Sequence, residues 1–246
     1  MRCLVLSDIH ANLAAFDAVI YDAGHFDLIW CLGDIVGYGP DPNECIARLR
    51  QFPHLSLCGN HDWAALGKIE LRGFNSDARI SAEWTQRQLT PASRAYLQAL
   101  PPSRTVGPDF TLAHGSPRQP IWEYILDPMT AGYNFDAFQT PACFVGHTHV
   151  PALYYMPIGV ANARQCEMRT PQWNSPVHLN SGRWIANPGS VGQPRDGNPN
   201  ASYALFNLDG NIWEHRRVRY SIRETQSRMR ERDLPARLVE RLAQGH

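Results

Sequence analysis

Short apolar runs recur from the N-terminus to about residue 150, and several of them end in polar side chains. The runs that we interpret as strands are residues 3–7, 27–32, 55–58, 110–113 and 142–145. Between the first three runs lie two segments, near 13–21 and 43–50, whose apolar residues recur with the period of a helix. Strands that alternate with helices in this way predict βαβ units on a mostly parallel sheet.

Three further elements are predicted toward the C-terminus. Residues 184–188 form another strand-like run. The segments 201–208 and 212–219 are typical of a hairpin, because the turn sequence Asp-Gly-Asn lies between them at 209–211. A polar, arginine-rich helix is predicted from about residue 221.

The stretches 116–141 and 151–181 show no clear period. We interpret both as loops or a small cap over one edge of the sheet, where substrate selectivity usually resides. The sequence contains neither an internal repeat nor a low-complexity linker. Residues 1–246 are therefore predicted to form a single domain, a length that suits one α/β fold.

The composition narrows the class of protein. Hydrophobic residues make up 43% of the 246 positions, which is ample for a core. The 23 Lys and Arg balance the 23 Asp and Glu, so the formal net charge is zero. A neutral protein is not expected to coat nucleic acid or anionic membranes nonspecifically, although it can still contain a local phosphate site.

The N-terminus and the cysteines point to a compartment. The apolar stretch at residues 3–6 is too short for a signal peptide, and no run approaches the roughly 18 residues of a transmembrane helix. The six cysteines are dispersed without a CxxC pair, which favours buried, reduced thiols. We therefore expect a cytoplasmic protein with no membrane partner.

Side chains of the metal-binding type follow five of the predicted strands. In chain order they are Asp8 and His10, Asp34, Asn60 with His61, His114, and His147 with His149. Because the carboxyl ends of parallel strands face one crevice, we expect these side chains to converge there. In Asp8-x-His10 and in His147-x-His149, the i and i+2 side chains of an extended segment would point the same way.

The types of donor indicate two transition-metal ions rather than one. Carboxylate, amide and imidazole ligands together suit Mn²⁺, Fe or Zn²⁺ better than Ca²⁺ or a lone Mg²⁺. The candidate ligands are too many for one ion, but two ions that share a carboxylate would use them all. Two divalent ions outweigh the negative charges of Asp8, Asp34 and a bridging hydroxide, which leaves a site that attracts phosphate. Such a metal pair generates hydroxide near neutral pH.

The ordered motifs resemble those of the calcineurin-like metallophosphoesterase family. They are Asp8-x-His10, Gly33-Asp34, Gly59-Asn60-His61-Asp62, a single His114, and Gly146-His147-x-His149. The resemblance runs from residue 3 to about residue 196. It implies an α/β fold of the metallo-dependent phosphatase type, a four-layer αββα sandwich in which two mixed β-sheets are flanked by helices.

The same resemblance implies a role for each motif residue. One metal ion would sit on Asp8, His10, Asp34 and His149, and the other on Asp34, Asn60, His114 and His147, with Asp34 as the bridge. His61 would hydrogen-bond the phosphate and protonate the leaving oxygen. The expected cofactors are two divalent ions per chain, with Mn²⁺ favoured and Fe, Zn²⁺ or Ni²⁺ as alternatives.

Two departures from the family pattern argue against a protein Ser/Thr phosphatase and against a tight monoester clamp. The second motif of the protein Ser/Thr phosphatases, and of the related symmetrical diadenosine tetraphosphate hydrolases, reads GDxxDRG. Here Gly37 replaces the carboxylate that orients the catalytic histidine, and Tyr38 replaces an arginine that clamps phosphate. The segment Asn-Pro-Gly-Ser at 187–190 resembles a turn of small prokaryotic phosphodiesterases, and we favour that branch.

Candidate substrate contacts are Asn12 and Arg195, and each has a structural alternative. Asn12 either contacts the phosphate or caps the helix that follows it. Arg195, like Arg118, is either a phosphate clamp or a partner in a surface ion pair. Three aromatic residues either stack on a base or aryl leaving group or pack the cap: Trp122, Tyr124 and Tyr133.

The remaining polar features are interpreted as structural. Residues 214–246 hold nine arginines and five acids, which is typical of a solvated helix face. Ser190 is not expected to act as a nucleophile, because in this family a hydroxide attacks directly. Five histidines outside the motifs are expected to be ordinary surface or core residues: His25, His54, His178, His215 and His246.

The expected function is therefore phosphodiester hydrolysis, by in-line attack of a metal-bridging hydroxide on a phosphoester small molecule or nucleotide. One alternative is a hydrolase of dinucleoside polyphosphates such as diadenosine tetraphosphate, or a broad phosphomonoesterase. An alternative from a different class is a non-catalytic scaffold of the same fold, which is disfavoured because every ligand position is filled. Nothing in the sequence indicates a particular oligomeric state.

Overall fold

The structure is a computed structural model that describes residues 1–160 and 162–246, in which twelve β-strands and eight α-helices occur. The strands are β1 (Arg2–Leu6), β2 (Leu28–Cys31), β3 (His54–Ser56), β4 (Ser103–Val106), β5 (Phe110–Ala113), β6 (Ala142–Phe144), β7 (Ala152–Met156), β8 (Glu167–Arg169), β9 (Pro176–His178), β10 (Arg183–Asn187), β11 (Ala201–Asn207) and β12 (Ile212–Val218). The helices are α1 (Leu13–Ala23), α2 (Pro42–Leu49), α3 (Asn60–Ala65), α4 (Ser76–Gln88), α5 (Pro91–Gln98), α6 (Pro128–Asn134), α7 (Ile222–Glu231) and α8 (Ala236–Arg241).

The strands form two six-stranded mixed sheets. Their orders are β3-β2-β1-β11-β12-β9 in the first sheet and β4-β5-β6-β10-β7-β8 in the second. Parallel pairing joins β1 to β2, β2 to β3, β5 to β6, and β6 to β10. The prediction of two mixed sheets is confirmed. The mostly parallel sheet predicted from the apolar runs was wrong, because β11, β12 and most neighbours of the later strands pair antiparallel.

The two sheets pack face to face through a core rich in aromatic rings. Phe144 of the second sheet lies 5.0 Å from Phe206 and 5.4 Å from Trp213 of the first, between ring centroids. Trp30 lies 5.6 Å from the same phenylalanine. These residues are at most 1% exposed, so this interface is the main apolar core between the sheets.

Helices cover the outer faces of both sheets. Side chains alternate across a strand, so Cys3 and Val5 of β1 face the second sheet while Leu4 and Leu6 face outward. Phe16 of α1 packs in the same cluster as the outward-facing pair, together with residues of α2 and α5. The region around α6 covers the second sheet through a separate cluster. The predicted four-layer αββα architecture is confirmed.

The stretch 151–181 is not a loop throughout, which corrects the sequence-based interpretation. It contains β7, β8 and β9, and β7 pairs with both β10 and β8. Four of the five residues of β7 are buried. A strand buried on both faces shows no alternation of apolar and polar residues, so its period was not visible. The stretch 116–141 contains α6 and a short 3₁₀ helix (Phe135–Ala137) within otherwise irregular chain.

The arginine-rich segment predicted as one helix is two helices, α7 and α8. Between them Asp233 adopts a φ of 53°, and Pro235 immediately precedes α8. A left-handed residue followed by a proline ends one helix and allows another to begin in a new direction. Met229 of α7 and Leu238 of α8 are buried in one cluster with Tyr38 and Ala78.

The described part of the chain includes no helix that is long and apolar enough to cross a membrane. All six cysteines are buried and carry free thiols, as the sequence predicted. Burial raises the pKa of the thiols of Cys58 and Cys166 to about 12, so these side chains act as small apolar residues.

Acid is expected to destabilise the protein through His215, a buried residue of β12. Ser202 donates to the Pro188 carbonyl oxygen at 2.6 Å, so the His215 Nε2–H donates to the Ser202 oxygen at 2.8 Å. Nδ1 of His215 has no partner, so a proton there would be buried without an acceptor. Burial, and then the charge of Arg217, lower the pKa of His215 from 6.5 to about 4.

The neutral imidazole is therefore favoured in the folded state, and this stability is lost as the pH falls from 6.5 through 4. From the linkage relation, His215 lowers the free energy of unfolding at pH 5 by about 2 kcal/mol relative to pH 7. Urea unfolding of metal-free protein at both pH values measures it. In His215→Gln, the difference in the free energy of unfolding between pH 7 and pH 5 should be smaller by about 2 kcal/mol, because the glutamine amide keeps a donor but does not titrate. An unchanged difference would show that other groups cause the acid sensitivity.

Candidate metal centre

The predicted ligands converge at one end of the sandwich, between the two sheets. Asp8, Asp34 and Asn60 follow β1, β2 and β3 of the first sheet, whereas His114 and His147 follow β5 and β6 of the second. The predicted convergence at strand ends therefore occurs, but across two sheets rather than along the edge of one. Strands of both sheets end at the same side, so each sheet supplies part of the site.

The first group of donors combines Asp8, His10 and His149. Nε2 of His149 lies 3.3 Å and Nε2 of His10 lies 3.8 Å from Oδ1 of Asp8. The two imidazole nitrogens are 3.1 Å apart. All three side chains are at most 2% exposed. Three donor atoms that face one another in a buried space form a group suited to one metal ion.

The second group combines Asp34, His114 and His147, with Asn60 beside them. Nε2 of His114 lies 3.4 Å from Oδ2 of Asp34 and 3.2 Å from Nδ1 of His147. The Asn60 side-chain oxygen is 3.3 Å from the same His114 nitrogen. This group therefore has the four donors that the resemblance implied for the second ion.

Asp34 lies between the two groups. Its Oδ2 is 3.4 Å from His114 Nε2 and 3.8 Å from His10 Nε2, so one oxygen faces both sets of donors. Its Oδ1 accepts a hydrogen bond from the His61 main-chain N–H at 2.8 Å. One carboxylate oxygen is thus used to hold the carboxylate in place, and the other is available to bridge.

The hydrogen bonds of three histidines fit metal binding. Nδ1 of His10, His114 and His149 each faces a main-chain carbonyl oxygen, at 3.2, 2.8 and 2.6 Å. A carbonyl can only accept, so each Nδ1 carries the proton and each Nε2 presents a lone pair to the centre. The Nε2 lone pairs of His10 and His149 face each other at 3.1 Å and repel unless a cation lies between them. The donors therefore fit two divalent ions.

The carboxylates of Asp8 and Asp34 lead to the same conclusion. Oδ1 of Asp8 and Oδ2 of Asp34 are buried without a hydrogen-bond donor. Burial alone would raise their pKa values, but nearby imidazoles, His149 for Asp8 and His114 for Asp34, outweigh it and hold both pKa values well below the usual range. Burial lowers the pKa of His114, and the Asp34 charge outweighs this and raises it to about 9. A metal ion would take the place of that proton.

Left-handed backbone conformations concentrate at the donor residues. The φ angles of five donors lie between 49° and 65°: Asp8, His10, Asp34, His147 and His149. Such angles cost of order 1–3 kcal/mol each in non-glycine residues and persist only where the surroundings enforce them. Asp8 and His10 are held by main-chain bonds of 3.0 Å to Gly33 and Asp34. The expectation that residues 8–10 and 147–149 are extended was therefore wrong, and turns orient the side chains.

Gly59 is required by close approach rather than by backbone angle. A Cβ atom at this position would overlap the Asp34 carboxylate and the His114 ring. Asp62 accepts hydrogen bonds from the Gly59 N–H at 2.9 Å and the Val36 N–H at 3.0 Å, so it joins the second and third motif loops. Sequence reasoning did not assign this role to Asp62, although its place in the motif was a signal.

His61 is oriented by packing. Its ring lies 4.3 Å from the Tyr38 ring, 5.3 Å from Phe74 and 5.0 Å from His10. Its Nδ1 is buried without a partner, and a Cβ at Gly37 would contact that nitrogen. Burial lowers the pKa of His61 to about 4, so the imidazole is neutral near pH 7. Aromatic rings thus replace the orienting carboxylate that the second motif lacks.

The Asn-Pro-Gly-Ser turn fastens the loops of both sheets. Asn187 donates to the Gly146 carbonyl oxygen at 2.8 Å, beside His147. Ser190 donates to the Asp8 carbonyl oxygen at 2.9 Å. Because its hydroxyl is used in this way, Ser190 is a structural residue, in agreement with the expectation that it is not a nucleophile.

Asn12 has the hydrogen bonds of a helix cap, which was the structural alternative to a substrate contact. Its side-chain oxygen accepts from the Ala15 N–H at 3.2 Å and from the Thr225 hydroxyl at 2.9 Å. Its amide donates to the Gly192 carbonyl oxygen at 3.0 Å. The side chain is 1% exposed, and its hydrogen bonds cap α1 and tie it to α7.

Of the other candidate contacts, some lie on the surface and some lie beside the donor groups or the adjoining cavity. Arg118 forms an ion pair with Glu123 on the surface, which was the structural alternative for this residue. Tyr124 stacks on His147 with ring centroids 4.0 Å apart. Trp122 and Tyr133 are about half exposed. Arg195 lines a cavity with Tyr124, and this arginine is retained as a candidate substrate contact.

The same cavity has a volume of about 510 Å³ and includes residues that sequence reasoning missed. Tyr38, Arg237 and Arg241 line it. Tyr38 was noted only as the replacement for a missing arginine. The segment 214–246 was interpreted as a solvated face, but two arginines of α8 contribute to this wall. No local pattern could have shown this, because the contacts span about 200 residues of sequence.

Comparison with known proteins gave consistent matches. The family model of the calcineurin-like phosphoesterase superfamily domain matches residues 1–211. An uncharacterized protein of Methanocaldococcus jannaschii is 36% identical, over 98% of this chain and 97% of its own. A solved metallophosphoesterase from Sphaerobacter thermophilus is 49% identical with a TM-score of 0.90, over 100% of this chain and 99% of its own. A hypothetical protein from Pyrococcus horikoshii shares the fold at 18% identity and a TM-score of 0.79, over 100% of this chain and 98% of its own.

Proposed function

The chain belongs to the calcineurin-like phosphoesterase superfamily, a class of hydrolases, and we propose that it is a phosphodiesterase that works with two divalent metal ions. The observation that carries this proposal is the pair of buried donor groups that share the Asp34 carboxylate. A scaffold without catalytic function would not need two complete donor sets held in strained backbone.

Each metal ion would have four protein ligands. The first would use Asp8, His10, His149 and Asp34, and the second Asp34, Asn60, His114 and His147. Mn²⁺ is the ion that we favour, with Fe, Zn²⁺ or Ni²⁺ as alternatives on the same donors. When bound, such a pair polarises phosphoryl oxygens and activates water for in-line attack.

His61 has the role of hydrogen-bonding the phosphate and supplying a proton to the leaving oxygen. Its pKa of about 4 means that the neutral ring can donate one hydrogen bond but cannot yet give up an acidic proton. An anionic phosphate next to the ring would raise that pKa, because opposite charge favours the protonated form. Proton donation would therefore be coupled to substrate binding.

The residues of the second motif support a preference for phosphodiester over phosphomonoester substrates. A dianionic phosphomonoester gains most from a bidentate arginine, and Tyr38 occupies the position where related phosphatases have one. Near the centre, Arg195 donates to the Gln193 side-chain oxygen at 2.9 Å, which uses part of its guanidinium. A diester carries one charge fewer and needs a weaker clamp. Dinucleoside polyphosphates also contain diester-like linkages, and the adjoining cavity gives them room.

Hydrolysis is expected to depend on added metal and to prefer diesters. Chelator-treated protein should be inactive and should regain activity with Mn²⁺, with two ions bound per chain. Bis-p-nitrophenyl phosphate should be cleaved with at least about tenfold higher kcat/KM than p-nitrophenyl phosphate, about 1.4 kcal/mol of discrimination. Diadenosine tetraphosphate and a cyclic nucleotide complete the panel. Equal or better monoester cleavage would refute the diester preference, and no turnover with any metal would refute the enzyme.

The buried free thiols support a location in the reducing cytoplasm, which we propose for this protein. We further propose that its partners are small phosphoesters or nucleotides. The zero net charge of the chain supports this choice over broad binding to nucleic acid.

A further inference from the structure

The cavity beside the metal centre is large enough to hold part of a substrate. Its volume of about 510 Å³ lies in the usual range of small-molecule sites. Two of its wall residues, Tyr38 and Tyr124, contact the candidate centre through His61 and His147, with ring centroids 4.3 and 4.0 Å apart. A molecule whose phosphorus lies at the centre could therefore extend past the two tyrosines into this cavity.

Three arginines line the cavity: Arg195, Arg237 and Arg241. Arg237 and Arg241 are four residues apart in α8, so they lie on the same face of the helix. Leu238 and Leu242 are buried against Tyr38, and this packing fixes the helix beside the centre. The position of the two arginines is thus set by the core and not by a mobile surface segment.

The three arginines outnumber the two carboxylate side chains that line the cavity, Asp77 and Glu240. Among residues 1–160 and 162–246, no side-chain carboxylate lies within 4.0 Å of the three guanidinium groups. Burial, and the like charges of Arg195 and Arg237, lower the pKa of Arg241. Like charges held together around one space attract an anion.

The guanidinium groups also keep hydrogen-bonding capacity. Nε of Arg241 donates to the main-chain oxygen of His246, which uses one of its five N–H bonds. Arg195 uses one terminal nitrogen, Nη2, to donate to the Gln193 side-chain oxygen at 2.9 Å and to the Tyr38 hydroxyl at 3.4 Å. The remaining N–H groups of Arg241 and those of Arg237 are suited to bidentate binding of phosphate.

We propose that Arg237 and Arg241 bind a second phosphate of the substrate, separate from the phosphate at the metal centre. The natural substrate then carries at least two phosphates on one nucleoside-sized molecule. This subsite rests on the proposed function, because it places the scissile phosphate at the metals. It also gives α8 a role in specificity.

The test compares ligands that differ by one phosphate. Calorimetry on Mn²⁺-loaded protein, at fixed free Mn²⁺, measures the Kd of adenosine monophosphate, adenosine diphosphate and adenosine 3′,5′-bisphosphate. We expect at least one of the two-phosphate ligands to bind about tenfold or more tightly than the monophosphate. In Arg237→Gln/Arg241→Gln this advantage should disappear, while the Kd of the monophosphate changes less than about threefold.

The matched control is Arg223→Gln/Arg230→Gln, which removes two exposed positive charges from the neighbouring α7, outside this cavity. It should keep the tenfold advantage. The subsite is refuted when neither two-phosphate ligand binds more tightly than the monophosphate, when the advantage survives in the α8 variant, or when the control loses it equally. Thermal melting of each variant verifies folding. Binding and hydrolysis are separate readouts, so a protein that hydrolyses no ester but shows the predicted differences would refute the proposed function and keep the subsite.

Discussion

Asp34→Asn is expected to reduce kcat for bis-p-nitrophenyl phosphate by about 10³-fold or more and to lower the metal content below two ions per chain. The side-chain oxygen that faces both donor groups would lose its negative charge, while the amide keeps an acceptor for the His61 N–H. A metal pair supplies several kcal/mol of transition-state stabilisation, and each 1.36 kcal/mol is a factor of ten in rate. Elemental analysis and steady-state kinetics on the same preparation give both quantities.

The control for this variant is Asp17→Asn. Asp17 is about half exposed and pairs with Arg48 at 2.7 Å on the surface, so the substitution makes the same chemical change far from the donors. It should keep two ions and full activity. A variant of Asp34 that retains both ions and normal kcat would show that this carboxylate does not bridge the metals, and the proposed centre would have to be abandoned.

His61→Ala is expected to lose activity to a degree that depends on the leaving group. Positioned proton transfer contributes about 10²–10⁴-fold, so a diester with an alkoxide leaving group should lose that much in kcat. A p-nitrophenolate leaving group is stable without a proton and should lose much less. The ring contributes none of the atoms in the two donor groups, so two metal ions should still bind.

His25→Ala, a substitution of an exposed histidine, is the matched control and should leave both substrates unaffected. Equal losses on the two leaving groups in His61→Ala would contradict proton donation and leave only hydrogen bonding to the phosphate. A drop in metal content would contradict a role outside the metal ligands. The two measurements together separate these cases.

Much of the fold near the site was predictable because its strands are short, apolar and bounded by polar motifs. The strands before Asp8, Asp34, His114 and His147 were predicted within one or two residues. By contrast, β7 has no alternation because both of its faces are covered, so no period marked it. The pairing of β1 with β11 joins residues about 200 positions apart, and local pattern does not contain that information.

The sequence by itself determined which donors the site contains and in what order they occur, because carboxylate, amide and imidazole groups are visible as residue types at strand ends. Only the tertiary structure decided how they meet. Two sheets, and not one, bring the strand ends together, and left-handed turns at residues such as Asp8 and His149 aim the side chains inward.

The tertiary structure also assigned Asn12 to a helix cap and placed Arg237 and Arg241 beside the centre. The physical reason is the same in each case. Residue type and spacing act over a few positions, whereas the backbone angles and neighbours of a side chain depend on packing between segments that are distant in the chain.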